Sequence, residues 1–412
     1  MNDFSENWQQ LRLRAGDRAD LLGNAWPTKK QEAYHYASLS SLDKTKWKKA
    51  PSLSEKDLKE KITALSLPEV NNRLVFSNGY FMPSLSFLGD GGNWQIKKNV
   101  LEEGCEKLSF EERLNLSLGE EKISLKIPFL KASQSLQILF LNEGENISLH
   151  SAVDFEVSEN QKISVFEVHA GEGHFLENNL IHVKSSKSSH ISWVKAQFSG
   201  SKTASLSHTY FDLAEGAKAS WTLLAKGNLF EREVFRAVLA DENAVLEANG
   251  LQLVGKDQLA DFNISVAHEA NHTFSQQSFK ALAIENGHAI FQGKSAISKR
   301  GNKSEAHQKS DALLLSDRAI FDVKPELEIF ADDVKCTHGA TVGALEEQDI
   351  FYLRARGIAL DEAKRLLLFS FVKDILDHIS DENIHLWVQD YVFPFLDFEK
   401  EEIFHIEQEG KH

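Results

Sequence analysis

Cysteine is nearly absent from this chain of 412 residues; Cys105 and Cys336 are the two that occur, and they lie far apart. Two thiols cannot make a disulfide framework, so a reducing compartment is the simpler expectation. Proline is scarce as well, with seven residues and none between Pro128 and Pro325. No Pro-rich linker interrupts that stretch, so residues from about 120 to 335 read as one continuous body. Positive charge is in deficit: 46 basic side chains face 61 acidic ones, a net charge of −15. That balance argues against a nucleic-acid binder or a protein held on an anionic membrane, since both need basic surface. No run approaches the roughly 20 apolar residues that span a bilayer. The first twenty residues hold no apolar signal core. The expectation is a soluble cytoplasmic protein.

What is present is ordinary globular composition, 42% hydrophobic and 10% aromatic, on a length that allows two or three domains. The N-terminal part reads as helical, with Leu11, Leu21 and Leu22 among charges and Ala33, Tyr34, Tyr36 and Ala37 after Pro27. The middle reads as strand, because β-branched and aromatic residues alternate with polar ones in Ile163–Val168 and Ser220–Leu223. Turn-type clusters punctuate it near Gly144, Asn160, Glu172, Ser188, Gly200, Gly216, Asn228, Glu242 and onward to Asp332. Two consecutive steps sum to 26 to 31 residues, most often 28. A repeat of that length, all strand and turn, predicts a solenoid in which each unit is one coil of a β-helix with two flat faces. A β-sandwich places its turns closer together, about 8–12 residues apart.

The C-terminal part turns helical again. Glu346 and Glu347 open a helix, Arg354 and Arg356 lie near its end and Gly357 follows, as the helix dipole and C-cap preferences require. Asp361 is placed to cap a second helix whose apolar residues, Leu367, Leu368, Phe369, Phe371, Val372, Ile375 and Leu376, cover more of the wheel than a core stripe needs. Either the helix is sandwiched within its own domain or one flank meets a partner.

Two motifs invite false readings. His268-Glu-Ala-Asn-His272 has HExxH spacing, but it follows a strand and falls on a predicted turn, where no helix can set both imidazoles on one face. Gly293-Lys-Ser295 resembles the end of a P-loop, but the position that needs the first glycine holds His288. Any ATP chemistry must then come from another chain. The acidic residues resolve into no catalytic pair, although carboxylates on neighbouring coils could serve a polysaccharide-active enzyme. Cys336 and His338, two apart on a strand, point to one side and suit soft or borderline metals. The alternative is a buried cysteine beside a hydrogen-bonded histidine.

The string Pro325-Glu-Leu-Glu-Ile-Phe-Ala-Asp-Asp-Val-Lys-Cys-Thr-His-Gly-Ala-Thr-Val-Gly343 closely resembles the SufD branch of the SufB/SufD family, from the SUF iron–sulfur cluster assembly machinery. The likeness continues through Phe351–Gly357, Glu362–Leu367 and Phe371, and upstream through Phe291–Lys294 and Leu313–Ser316. Pro27–Tyr36 is similar to the family's N-terminal segment. The resemblance implies a mainly β fold, a right-handed parallel β-helix core over 121–338 flanked by an N-terminal helical region with mixed segments, 1–120, and a C-terminal helical domain, 339–412. It implies a non-catalytic scaffold subunit that pairs with a SufB-like paralogue through the β-helix and docks a SufC-like ABC ATPase through its C-terminal helices. The partner-binding candidates are Phe351, Arg354, Arg356, Leu367, Leu368, Phe371 and Val372. Cys336 and His338 would lie at the SufB interface, where an iron–sulfur cluster passes transiently, with His338 favoured as ligand. The resemblance also raises FAD for the whole complex, and an exposed edge of a β-helix raises a homodimer for the chain in isolation. SufB-like chains carry core cysteines, whereas none lies here between Cys105 and Cys336. Clusters are held by several thiolates, so this chain cannot nucleate one alone.

Overall fold

The computed structural model describes residues 5–23, 25–89, 93–98, 108–129 and 131–396. Cys105 and the tail after 396 lie outside the described residues. The N-terminal region holds helices α1 (Glu6–Ala15), α2 (Glu55–Leu65) and α3 (Phe110–Leu118) among short strands β1 (Lys48–Lys49), β2 (Asn72–Ser77), β3 (Tyr80–Phe81), β4 (Asn93–Lys98) and β5 (Glu121–Ile127). Serine caps begin α1 and α2, and Ser109 with Glu112 closes a capping box on α3.

Two strands of 24 residues, β6 (Gln134–Val157) and β7 (Lys162–Ser185), start the solenoid. Shorter strands follow: β8 (His190–Gln197), β9 (Ala204–Leu213), β10 (Lys218–Lys226), β11 (Phe230–Leu239), β12 (Val245–Val254) and β13 (Leu259–His268). Then come β14 (Phe274–Ala283), β15 (His288–Ile297), β16 (Ser304–Leu314), β17 (Ile320–Ile329) and β18 (Val334–Gly343). Two parallel series result. One runs β7, β8, β10, β12, β14, β16, β18, and the other β7, β9, β11, β13, β15, β17. Lys162 pairs with His190 and His190 with Lys218, each 28 residues on, so the predicted repeat is one coil.

The repeat is visible in the turns. Asn160, Ser188, Gly216, Asn243, His272 and Lys303 all have positive φ, between 54° and 63°, and recur once per coil. That left-handed turn conformation favours Gly and Asn, which explains why turn-type residues carried the rhythm. The HExxH stretch is one of these turns: His268 ends β13 and His272 holds the positive φ before β14. Gly293 lies inside β15 with no helix behind it.

The inward row is apolar over much of each coil, including Val165, Trp193, Trp221, Phe235, Phe262, Phe279 and Phe291. Strands β1, β2 and β5 all pair in parallel with β6, so the N-terminal region builds the first coil as well as flanking it. The boundary expected at 338 cuts a strand, since β18 runs on to Gly343. The helices α4 (Glu347–Arg354), α5 (Leu360–Leu376) and α6 (Glu382–Val392) follow. Asp361 sits inside the first turn of α5 rather than at its cap, which is Ala359 with no side-chain bond.

Candidate functional site at the open end of the solenoid

Strand β18 pairs with β16 on one side, and among the described residues its other edge pairs with nothing. The same holds for β17 beyond β15. Unpaired backbone at an edge is a template for another chain. The rim here is apolar too: Ile320, Ile329, Phe330 and Val342 are exposed, Phe330 by 63%. One coil earlier the registered positions are covered, Ile297 behind Ile329 and Ala312 behind Val342.

Cys336 and His338 stand on this last strand. Cys336 registers with Ala306 and His338 with Gln308, both buried inward-facing residues of β16. The pair therefore continues the interior rows past the point where the interior ends. Cys336 is half-buried and His338 is exposed. Burial pushes the Cys336 thiol above its ordinary value, against a smaller opposing effect from the Ala306 backbone, so the thiol stays protonated at neutral pH. Beneath them, Gln308 Nε2 donates to Gln277 Oε1 at 3.1 Å, and Gln277 Nε2 donates to Ser295 Oγ at 2.8 Å. Gln308 Oε1 and Ser310 Oγ are buried without a hydrogen-bond partner. Neighbouring ties hold the strand from outside: His307 Nδ1 lies 2.9 Å from Thr337 Oγ1, and Lys335 pairs with Glu305 at 2.7 Å. No group of three or more metal-ligating side chains occurs among the described residues. Cys336 and His338 therefore stand without a third such side chain beside them among the described residues.

The second surface is helical. A cavity of about 480 Å³ opens between the end of β16 and the C-terminal helices, lined by Leu314, Leu345, Ile350, Phe351, Arg354 and Lys364 among others. Phe351 is 72% exposed, Arg354 and Arg356 are exposed, and the Arg356 guanidinium stacks 3.7 Å over the Tyr352 ring. Leu367 and Phe371 are half-buried. Leu368 and Val372 correct the expectation of partner contact, because both are fully enclosed against the solenoid flank of their own chain. The wide apolar arc of α5 is thus largely explained by intramolecular packing.

One feature escaped the sequence. Inside the solenoid, His169 lies 2.6 Å from Glu167 and 2.8 Å from Glu177, and Lys195 lies 2.7 Å from Glu233, all of them buried. Trp193 Nε1 donates to Glu167 and Thr209 Oγ1 to Glu233. Burial alone would lower His169, but the Glu177 and Glu167 carboxylates outweigh it and raise it to about 9. Burial would raise Glu167 and Glu177, yet Lys195 and His169 hold both low. Glu231 is driven well up by burial, which Lys195 and His169 oppose without overcoming. The signal was Glu167, His169 and Lys195 at inward positions of otherwise apolar strands, which periodicity alone assigns no side. These enclosed carboxylates meet ion-pair partners and not solvent, so they present nothing to a polysaccharide.

A family model described as the SUF system FeS cluster assembly, SufBD core domain matches residues 140–371, more than half of the chain. The chain belongs to the SufB/SufD family. Two relatives agree across most of the length. The iron–sulfur cluster assembly protein SufD of Escherichia coli is 26% identical over 374 residues, covering 88% of each chain. A SufBD family protein of Synechocystis is 26% identical over 395 residues, covering 88% of this chain and 86% of its own. A Plasmodium falciparum SufD is 35% identical over 150 residues, 36% of this chain and 10% of that one. Membership of the SufB/SufD family places the chain in iron–sulfur cluster assembly, and among the described residues no helix is long and apolar enough to cross a membrane.

Proposed function

We propose that this chain is a non-catalytic scaffold subunit of cluster assembly, which pairs end-on with a SufB-like paralogue and docks a SufC-like ATPase on its C-terminal helices. The observation that carries the reading is the placement of Cys336 and His338 on the last described strand, at an unpaired edge with an apolar rim. A partner that adds a strand there would cover the rim and supply the missing donors for an iron–sulfur cluster in transit, which is cargo here. His338 brings an imidazole nitrogen, a ligand type that suits borderline metals. Cys336 must first lose a proton that burial makes harder to remove, so metal binding there releases a proton. His338 is therefore the first ligand and Cys336 the second.

For the ATPase, the favoured surface is Phe351, Arg354 and Arg356 with the exposed flank of α5 carrying Leu367 and Phe371. In isolation, the same open edge would pair two copies of the chain. FAD is proposed for the assembled complex, with no residue of this chain assigned to it, and the cytoplasm is proposed as its location.

The test is co-expression with SufB-like and SufC-like chains, then size-exclusion chromatography and an anaerobic visible spectrum. A three-component complex whose thiolate-to-iron absorption fades in His338→Ala supports both scaffold and ligand. A complex whose spectrum ignores His338 removes the ligand assignment. Failure to form any complex removes the scaffold reading.

A further inference from the structure

The outer rows of the solenoid pair opposite charges from coil to coil. Lys126 meets Glu156 at 2.6 Å, Lys187 meets Glu215 at 2.7 Å, and Lys294 meets Glu328 at 2.6 Å. One row breaks this pattern. Lys162, His190 and Lys218 stack in register on three successive coils, and neither ammonium has an ion-pair or hydrogen-bond partner among the described residues. His190 between them is held below its usual range, so the row presents two ammonium groups two strands apart with no carboxylate in register with either. In a chain of net charge −15 such a row is not explained by general basicity.

Lys162 and Lys218 are exposed along this row and His190 is half-buried. The row lines a groove of about 410 Å³ between the solenoid and the start of α6, a size that suits a small molecule. Beside it runs a second register row, Ser164, Ser192 and Ser220, in which Ser164 is committed to Asp381 and Ser192 Oγ lies 3.4 Å from Ser380 Oγ, so Ser220 is the hydroxyl of the row with no side-chain partner among the described residues. His190 Nδ1 is buried, with the Ser188 backbone beside the ring. Burial, then Lys162 and Lys218, hold the imidazole below its usual range, which places the three groups in each other's field. Two carboxylates share the groove, Glu247 and Asp381. Asp381 is engaged: it accepts from Ser164 Oγ at 3.0 Å and from the backbone N–H groups of Asn383 and Ile384 as the cap of α6. Glu247 lies one coil past Ser220, at the far edge.

We infer that this groove is a binding site for a small molecule carrying two or more adjacent oxyanion groups, of which a diphosphate is the simplest. With strands about 4.8 Å apart, Lys162 and Lys218 bracket a track of roughly 10 Å. A linked pair of phosphoryl groups can reach both ammoniums and the Ser220 hydroxyl together, whereas a single phosphate spans less of the track. The inference is independent of the cluster-assembly reading, because the groove shares no residue with the open end of the solenoid.

The full chain, with its histidine rings labelled with ¹⁵N, is titrated with inorganic pyrophosphate at low salt, and the ring signals are followed by NMR. Phosphate, sulfate and ADP form parallel titrations. The expected result is a saturable shift of the His190 ring nitrogens with pyrophosphate, weakened about tenfold or more in the Lys162→Ala, Lys218→Ala variant. Both lysines are exposed and unpaired, so the variant's circular dichroism should match the parent. Tighter binding of ADP than of pyrophosphate points to a nucleotide, and equal binding to an inorganic ligand. A shift that sulfate reproduces equally, or that survives loss of both lysines, is ionic screening and overturns the site. So does the absence of a saturable shift.

Discussion

His338 lies one coil beyond Gln308 in register, and the structure changes character between them: Gln308 is 3% exposed, while His338 is open to solvent. The enclosed rows of the solenoid end in a cysteine and a histidine where, among the described residues, no further coil follows.

The two donors at that end are expected to differ in weight. His338→Ala removes the imidazole donor, while Cys336→Ser removes a thiol whose proton burial retains. In a cluster-assembly assay Cys336→Ser should be the milder lesion. The reverse order would assign the first ligand to the thiol.

The apolar rim gives a second expectation. Phe330→Asp or Val342→Asp places a charge on surface already exposed, so thermal stability should stay within about 0.5 kcal/mol of the parent. Pull-down with a SufB-like chain should weaken sharply. Undiminished capture would move that interface away from the open end.

The buried ion network predicts a large stability effect far from any surface. Lys195→Met leaves Glu233 uncompensated in the interior and should cost about 3–5 kcal/mol in urea denaturation. Adding Glu233→Leu to the same chain should recover much of the loss, because the stranded charge is then gone. A single variant as stable as the parent would show that water reaches the network.

His169 gives that network a pH signature. Its pKa is raised to about 9 in the fold, against about 6.5 unfolded. Its contribution is therefore fully present below about pH 6.5 and is lost as pH rises through 9. Glu167 and Glu177 are depressed, so their contribution holds above the usual carboxylate range and fades as pH falls. The urea midpoint should decline between about pH 6.5 and 9, and His169→Gln should flatten that decline.

Arg232 explains how the N-terminal region is held. Its Nε donates to Glu111 at 2.9 Å, an Nη donates to the Ala33 carbonyl at 2.9 Å, and Asp261 pairs with its other Nη. The guanidinium also lies 4.4 Å from the Tyr34 ring centroid. Arg232→Leu should unseat the segment around Tyr34 and expose it to limited proteolysis before the solenoid is cut.

The coil period and the identity of the open end were legible because each rests on local chemistry. Asn160, Ser188 and Asn243 mark turns through their own backbone preferences, and the Cys336–His338 spacing follows from strand alternation. The terminal helices were legible through Glu347, Arg354 and Gly357 for the same reason. Arg232, Glu111 and Asp261 were not, since three segments distant in sequence meet only once the coils are stacked. Lys195 was hidden differently. Alternation shows that a residue changes side, but not which side is inward, and a lysine is ordinarily assigned to solvent. Leu368 and Val372 misled for a related reason: an apolar arc does not say whether its cover is the same chain or another.

The flank under the C-terminal helices has a mechanical consequence. In a stack of coils each repeat ordinarily supports only its neighbours, and ends can fray one coil at a time. Here Leu139, Phe166, Val194, Leu224, Leu251, Leu282 and Leu315, contributed by successive coils, share one core with α5 and α6. Lys226 Nζ donates to the Tyr391 carbonyl, and Lys280 Nζ to the Phe371 carbonyl and the Asp374 carboxylate. The helices act as a splint laid across the repeats, so a pull on α5 is distributed along the solenoid and its coils rise or fall as one cooperative unit.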